Sequence, residues 1–460
     1  MVESSRASVL FPPSSDTIVA LATAAGRGAI AVVRLSGAGA NEIAGRLVRP
    51  WPLPPRAATL CSVYSRAGER LDRAVVTRYE RPRSFTGEDL VEIACHGGQI
   101  VSASVMAALL ETGAREAFPG EFTRRAVLNG KLDILQAEAV GDLVDARSRG
   151  GQRAALNQLD GGLSRRVLAL REALLGLEAL IAYDIDFPEE DDGPVAPERI
   201  TAATDETLAA LDELLATARA GELIREGALV VIAGAPNVGK SSLFNALLGR
   251  RRAIVTDVPG TTRDALEAVI DTESWPIRLV DTAGLRETAD VVERLGIEVS
   301  EDYLARADAV LACGDSTATL SRALEVIGRR TEAPVLAVRT KVDTDEGREA
   351  RGEEGVLAVS AETGEGLGEL IAAIIAALSA DQRTPELDAP LLTHARHRHA
   401  IEQARSELAA FRDARRAAQL PAPVAAVHLR AAVHALEELI GAVDVEDVLE
   451  RVFAKFCVGK

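Results

Sequence analysis

From Gly234 to Ser241 the chain reads Gly-Ala-Pro-Asn-Val-Gly-Lys-Ser. This octet follows the apolar run Ala228–Ala233 and leads into Ser242-Leu243-Phe244-Asn245-Ala246-Leu247-Leu248, an order that predicts strand, glycine loop, helix. The spacing GxxxxGK[ST] lets backbone N–H groups curl around phosphates at a helix N-terminus. Lys240 can then reach the outer phosphates, and the Ser241 hydroxyl can hold a magnesium ion. The ligand class is a nucleoside triphosphate.

That loop occupies a small part of a 460-residue chain. A single core is not expected at this length, and domains of about 150 residues predict roughly three. Apolar residues make up 47% and aromatics 3%, so helices rich in Ala and Leu should dominate the packing. The net charge of −17 argues against broad, non-specific nucleic-acid binding, while leaving room for a local basic patch. Cys61, Cys95, Cys313 and Cys457 show no CxxC spacing, and no disulfide framework is expected. Val9-Leu10-Phe11 is too short for a signal-peptide core, and no run of about 18 apolar residues predicts a membrane span. The expectation is a cytoplasmic chain with no membrane partner.

Three regimes follow one another along the sequence. Thr17–Ala22, Ala29–Leu35, Ala74–Tyr79 and Leu90–Cys95 read as strands broken by Gly and Pro, which predicts an α+β domain over residues 1–130. Helical spacing then takes over, through Leu132, Leu135, Ala139, Leu143 and Ala146. It continues through Leu156, Leu159, Leu163, Val167, Leu170, Leu174, Leu177 and Ile181, as the seam of a bundle. Asp186-Phe-Pro188 stops the run, Glu189–Asp192 reads as a solvated acidic loop, and a further helix is expected from Pro197 to Ala220. From Ala228 to about Ala380, short apolar runs (Ala228–Ala233, Ile277–Val280, Ala309–Cys313, Val335–Val338, Val356–Val359) read as strands buried on both faces of a parallel sheet. Helices return at Ile401–Ala410, Val424–Ala442 and Val445–Phe456, the last with Asp444 as N-cap. The expected fold is therefore multidomain α/β. An α+β domain (1–130) precedes a helical bundle split into 131–225 and 383–460, and a P-loop domain (226–382) is inserted in that bundle.

Further motifs choose the base. Gly260-Thr261-Thr262 supplies a threonine, Thr262, to complete the magnesium shell and sense the γ-phosphate. Asp281-Thr282-Ala283-Gly284 closes a buried strand; its carboxylate can hold magnesium through water, and the Gly284 amide can meet the γ-phosphate. Thr340-Lys341-Val342-Asp343 closes a later strand, where the carboxylate can accept two hydrogen bonds from the guanine edge. Ser360-Ala361, followed by Glu362, can support the base carbonyl. Together they predict GTP. Two positions depart from the usual pattern. Thr340 stands where Asn is common and is expected to make fewer bridging bonds to the phosphate loop. Leu285 stands where Ras-like enzymes carry a water-orienting Gln. Arg263, Arg286 and Arg294 are near enough in sequence to act as an arginine finger, with surface ion pairing as their default role.

These motifs, with Thr256-Asp257-Val258-Pro259-Gly260-Thr261-Thr262-Arg263-Asp264 and Asp281-Thr-Ala-Gly-Leu-Arg-Glu287, resemble the Era/Der/MnmE group of bacterial GTPases. The ending Phe456-Cys457-Val458-Gly459-Lys460 resembles the Cys-x-Gly-Lys ending of the MnmE (TrmE) family. So do Arg34-Leu-Ser-Gly37, Ser84-Phe-Thr-Gly-Glu-Asp89 with His96-Gly-Gly98, and Pro119-Gly-Glu-Phe122 with Asn129-Gly-Lys131-Leu-Asp133. The resemblance spans essentially the whole chain.

It implies a Ras-like G domain, a folate-binding N-terminal domain that dimerises, and a homodimer working with MnmG in a heterotetramer or larger complex. That complex acts on tRNA, bound mainly through MnmG, and attaches an aminomethyl or carboxymethylaminomethyl group at carbon 5 of the wobble uridine. The one-carbon unit comes from a tetrahydrofolate derivative, 5-formyl or methylene, and FAD enters only through MnmG. By matching positions, Arg34, Glu92, Lys131 and Lys460 contact the folate. Asn237, Thr256, Val258 and Thr261 coordinate potassium beside the phosphates. Ser241 and Thr262 hold magnesium, and Glu293 orients the attacking water with Lys240 and Thr262 at the phosphates. The nucleotide-contacting set is Asn237, Val238, Gly239, Lys240, Ser241, Ser242, residues 256–262, 281–284, 340–343 and 360–362. Cys457 matches the family's terminal thiol, and its role is open. Two rivals share some of these features. An Era- or Der-like switch in ribosome assembly accounts for the GTPase motifs without the N-terminal domain. A folate-dependent aminomethyltransferase with an inserted GTPase would not need MnmG.

Overall fold

The computed structural model describes residues 16–186, 196–250, 253–254, 266–272, 276–281, 302–344, 354–379, 389–416, 422–441, 452, 456 and 459. The chain divides into two compact units, Met1–Gly141 with Leu436–Lys460, and Asp142–Ala435.

In the first unit the elements run β1 (Ile18–Leu21), β2 (Ile30–Ser36), α1 (Ala40–Leu47), β3 (Val48–Arg49), β4 (Thr59–Tyr64), β5 (Arg70–Tyr79), β6 (Leu90–His96), α2 (Gln99–Glu111), β7 (Arg115–Glu116), α3 (Glu121–Leu128) and α4 (Ile134–Asp145). The sheet order is β3-β4-β5-β6-β2-β1-β7, antiparallel except at β1–β7. Alternation along each strand gives the sheet two unlike faces. Val33, Leu35, Val63, Val76 and Ile93 point inward and pack with Ile43 and Leu47 of α1 and Val105 and Leu109 of α2. The other face carries two rows set by register: Leu60, Val75, Ala94 and Val32, then Thr77, Glu92 and Arg34. Near the chain's end, Phe456 and Val452 pack with Ile134 and Ala137, and a Cβ on Gly459 would lie 2.4 Å from the Leu21 carbonyl oxygen. Only glycine, here at φ +99°, lets the tail approach β1 so closely.

The second unit holds a helical group and a second sheet. The helices are α5 (Arg149–Leu159), α6 (Gly162–Asp186), α7 (Pro197–Leu215) and α8 (Ala218–Glu226), joined by two from the C-terminal stretch, given below. Leu163, Val167, Leu170, Leu174, Leu177 and Ile181 are all buried, as a bundle seam requires. Leu156 is not: it is 41% exposed. The chain breaks at Asp160–Gly161, with Gly161 at φ 81°, which resets the helical phase between α5 and α6. Likewise the helix expected from Pro197 to Ala220 is two, parted at Ala216–Thr217.

The sheet strands are β8 (Ala228–Gly234), β9 (Ala253–Ile254), β10 (Leu266–Ile270), β11 (Ile277–Asp281), β12 (Ala309–Gly314), β13 (Val335–Arg339) and β14 (Val356–Ala358). The helices that follow β8, β12 and β14 are α9 (Lys240–Arg250), α10 (Thr317–Gly328) and α11 (Leu367–Ser379), and α12 (Ala395–Arg416) and α13 (Ala422–Ile440) come after them. The order is β14-β13-β12-β8-β11-β10-β9, with β8 central and parallel to both neighbours. Only β10 runs against the others, antiparallel to both β11 and β9. This is the doubly wound sheet of a Ras-like G domain. Every residue of β8 from Ala228 to Ala233 is buried, as expected of a strand covered on both faces. The bundle is discontinuous in sequence. Arg405 of α12 bonds Asp212 of α7, His428 of α13 bonds Glu407 of α12, and Arg430 bonds Glu178 of α6. Among the described residues no helix is long and apolar enough to cross a membrane.

Candidate functional site

The phosphate loop leaves β8 at Gly234, whose backbone is held at φ 152° and lies so near β12 that a Cβ would meet the Cys313 carbonyl oxygen at 2.3 Å. Asn237 turns through the left-handed region at φ 62°, and α9 begins at Lys240. Lys240 is buried, and its ammonium donates to the carbonyls of Gly234 (3.1 Å) and Ala235 (2.7 Å). The Ser241 hydroxyl donates to Asp281 Oδ2 at 2.6 Å. Two hard oxygen donors, at the head of α9 and the end of β11, thus sit side by side, a donor set that suits Mg²⁺.

The base side is built from two other strand ends. The Thr340 hydroxyl donates to the Val238 carbonyl, inside the phosphate loop. Lys341, itself left-handed at φ 56°, donates to the Asn237 carbonyl at 2.7 Å and to Asp315 Oδ2 at 3.0 Å. Thr340 therefore does bridge to the loop, and its neighbour adds a second tie. Asp315, just after β12, carries no motif signal in the sequence. Burial pushes its carboxyl up, but bonds from Lys341 and Thr319 outweigh this and hold it below the ordinary carboxylate value. Ser360 donates to Asp343 Oδ1 at 2.6 Å and fixes that carboxylate. Gly239, Ser242, Leu243, Thr340, Lys341, Asp343, Ala361 and Glu362 line a cavity of about 290 Å³, close to the lower bound for small-ligand sites. Thr256, Asp257, Val258, Pro259, Gly260, Thr261, Thr262, Thr282, Ala283, Gly284 and Glu293 lie outside the described residues, as do Arg263, Arg286, Arg294, the acidic run 189–192 and the helix expected over Val445–Phe456 apart from Val452 and Phe456.

A second constellation lies on the outer face of the N-terminal sheet. Register sets Arg34 of β2 opposite Glu92 of β6, and the guanidinium donates to Glu92 Oε1 at 2.8 and 3.0 Å. Tyr79 adds a longer bond to Glu92 Oε2 at 3.4 Å, and burial with the Glu92 charge pushes its phenol up. The Arg34 guanidinium also lies 5.4 Å from the Phe85 ring and 5.7 Å from that of Phe122, within cation–π range. Phe85 is carried by the β5–β6 loop. Asn129 holds that loop through Thr86 O (2.7 Å), and Lys131 through Pro82 O (3.2 Å). Arg34 and Glu92 thus pair on the sheet, while Lys131, from the α3–α4 connection, reaches the loop that carries Phe85. Gly459 seats the tail beside β1, next to the strand bearing Arg34, while Cys457 and Lys460 themselves lie outside the described residues. Tyr79 carries no functional signal in the sequence, and cross-strand register, which sequence does not display, puts it here; Phe85 and Phe122 stand inside the Ser84–Asp89 and Pro119–Phe122 blocks and arrive on a loop and on α3.

Behind this face, Arg125 and Glu121, 2% and 3% exposed, pair at 3.0 Å. Arg115 and Asp16 extend the cluster, with Arg125 to Asp16 at 2.6 Å. Burial pushes the Glu121 carboxyl up, but the bonds from Arg115, the Phe118 amide and Arg125 prevail and hold it below its ordinary value.

Comparison with known proteins matches both units. The family model for the GTP-binding protein TrmE N-terminus covers residues 17–131, and that for the MnmE helical domain covers 134–457. The tRNA modification GTPase MnmE of Aquifex aeolicus is 40% identical over 97% of this chain and 100% of its own length. That of Moorella thermoacetica is 42% identical over 97% and 99%. Among solved structures, the G domain of the T. maritima FeoB iron transporter matches 33% of this chain and 98% of its own, at 31% identity and a TM-score of 0.26. With both domain models and full-length relatives in agreement, the chain belongs to the MnmE (TrmE) family of tRNA modification GTPases and is a GTP hydrolase.

Proposed function

We propose that this chain is a potassium-activated, homodimeric, cytoplasmic GTPase that works with MnmG on tRNA. Together they add an aminomethyl or carboxymethylaminomethyl group at carbon 5 of the wobble uridine, using the one-carbon unit of a tetrahydrofolate derivative. The observation that carries the GTPase half is the convergence of Lys240, Ser241, Asp281, Thr340, Lys341 and Asp343 at and beyond the ends of β8, β11 and β13 of one sheet. We assign residues 1–130 to the folate domain, 131–225 and 383–460 to the helical domain, and 226–382 to the G domain.

In this reading Asp343, oriented by Ser360, accepts the two N–H groups of the guanine edge. Lys240 leaves its loop carbonyls for the outer phosphates, and Ser241 with Asp281 and Thr262 holds magnesium. Bound magnesium would neutralise charge on the β- and γ-phosphates. Leu285 cannot orient water, so Glu293 takes that role. Asn237, exposed at the loop's left-handed turn, offers an amide oxygen to potassium together with Thr256, Val258 and Thr261. Bound potassium would supply positive charge where it develops in the transition state. On the N-terminal sheet, Glu92 suits the amino-amide edge of a pterin, and Arg34, Lys131 and Lys460 suit folate carboxylates. The bound folate would supply the one-carbon unit.

GTP turnover measured in potassium and in sodium tests the mechanism: severalfold faster hydrolysis in potassium is expected, and equal rates would remove the cation role. Mass spectrometry of wobble nucleosides after gene deletion tests the substrate, and unchanged nucleosides would overturn it.

A further inference from the structure

The chain as a whole carries −17, yet between Arg46 and Arg83 nine arginines face three acids, Glu69, Asp72 and Glu80. Two of those acids are already engaged, Glu80 by Arg78 and Asp72 by His96. Arg49, Arg56, Arg70, Arg73, Arg81 and Arg83 are all exposed, and among the described residues none of the six forms an ion pair. The helical group behaves differently. There, surface arginines meet carboxylates, as in Arg405–Asp212, Arg412–Asp205 and Arg430–Glu178. A basic stretch that is merely solvated would be expected to look the same in both places.

Register places part of this charge on the open face of the N-terminal sheet. Arg49 lies opposite Ser62, and Ser62 opposite Arg73, so the two arginines share one row on strands β3 and β5. At about 4.8 Å between strands they stand about 10 Å apart. The next row holds the exposed Leu60 and Val75, 56% and 42% accessible. The row beyond is Thr77, Glu92 and Arg34. The face therefore runs from Arg73 and Arg49, the latter resting its guanidinium on the Gly45 and Val48 carbonyls at 2.7 and 2.8 Å with no carboxylate partner among the described residues, across an apolar strip, to the Arg34–Glu92 pair. A phosphate backbone with an unstacked base fits that sequence: arginines for phosphates, apolar side chains for a base face.

We propose that this arginine-bearing sheet face binds the tRNA backbone directly and leads the target base toward the Arg34–Glu92 pair. This rests on the proposed tRNA and folate roles and adds an RNA-binding surface of this chain's own.

The test is fluorescence anisotropy of an unmodified tRNA transcript with the full-length chain and a quadruple variant, Arg49→Gln, Arg70→Gln, Arg73→Gln, Arg81→Gln. Affinity should fall at least tenfold near 50 mM salt. The slope of log K against log salt should become shallower by about 0.7–0.9 for each phosphate that is no longer neutralised. The corresponding Arg→Lys variant should bind within about threefold of the parent, and Arg405→Gln with Arg412→Gln should change nothing. Unchanged affinity and slope in the Gln variant would overturn the proposal, as would equal weakening in the Lys or control variants. Unchanged tRNA binding with weakened MnmG association would assign the face to an acidic protein and overturn it too. Potassium activation and wobble modification are measured separately, so failure here is distinguishable from failure of the function on which it rests.

Discussion

The Thr340 hydroxyl donates to the Val238 carbonyl, so the strand end that reads the base is stitched to the loop that holds the phosphates. Val238 is 2% exposed, and water cannot readily replace that donor. Thr340→Val keeps the shape and removes the bond. A loss of about 1 kcal/mol is expected, or roughly a fivefold weaker Kd for GDP. Titration with a fluorescent GDP analogue measures it, and an unchanged Kd would show that the tie contributes nothing to nucleotide binding.

Asp343 gives a sharper test of base choice. Its carboxylate can only accept, matching the two donors of guanine; an amide in its place offers one donor, which suits the carbonyl of xanthine. Asp343→Asn should weaken GDP by about a hundredfold, since one acceptor becomes a donor facing a guanine donor and the remaining bond loses its charge, while xanthosine diphosphate gains relative to it. Competition between the two nucleotides reads the switch, and retained guanine preference would sink the assignment.

On the N-terminal sheet, Glu92→Gln retains shape and removes charge. Arg34 and Glu92 are 21% and 26% exposed, so the pair should contribute no more than about 1 kcal/mol to stability. Affinity for 5-formyltetrahydrofolate should fall at least tenfold by calorimetry, with little change in the melting temperature. Full folate affinity in this variant would remove Glu92 from the site.

The Arg125–Glu121 pair predicts a pH effect of defined sign. Glu121 titrates below its ordinary value of 4.5 in the folded chain, because its arginine and backbone bonds outweigh burial. Its contribution is therefore present above about pH 4.5 and lost as pH falls through the lower, folded value. Glu121→Gln removes one of three carboxylates around Arg125, leaving Asp16 and Glu88, and should cost about 1.5–3 kcal/mol at pH 7. The gap from wild type should narrow below pH 4.5. Denaturant unfolding followed by Trp51 fluorescence in a Trp275→Phe background measures it, and a gap independent of pH would contradict the assignment.

What is legible in the sequence is what local pattern controls. β8, β11, β12, β13 and β14 stand out because strands buried on both faces are nearly continuous apolar runs, and the phosphate loop announces itself by spacing. β10 does not, since Leu-Glu-Ala-Val-Ile lies beside the sheet's edge and keeps a charged residue in its run. α1 and α2 escape detection for opposite reasons: one is eight residues with a glycine inside, the other is so uniformly apolar that no face stands out. The exposed Leu156 shows how one glycine break carries a regular stripe out of phase. Asp315 and Tyr79 enter their sites through strand register and sheet order, which are long-range properties.

Cys61, Cys95 and Cys313 are all buried, and burial raises each thiol, that of Cys313 to about 12. At neutral pH these three are protonated and shielded from alkylating reagents. Any thiol that does react in the folded chain must then be Cys457, three residues from the C-terminus. A probe attached at Cys457 would report on the tail that Gly459 anchors against Leu21.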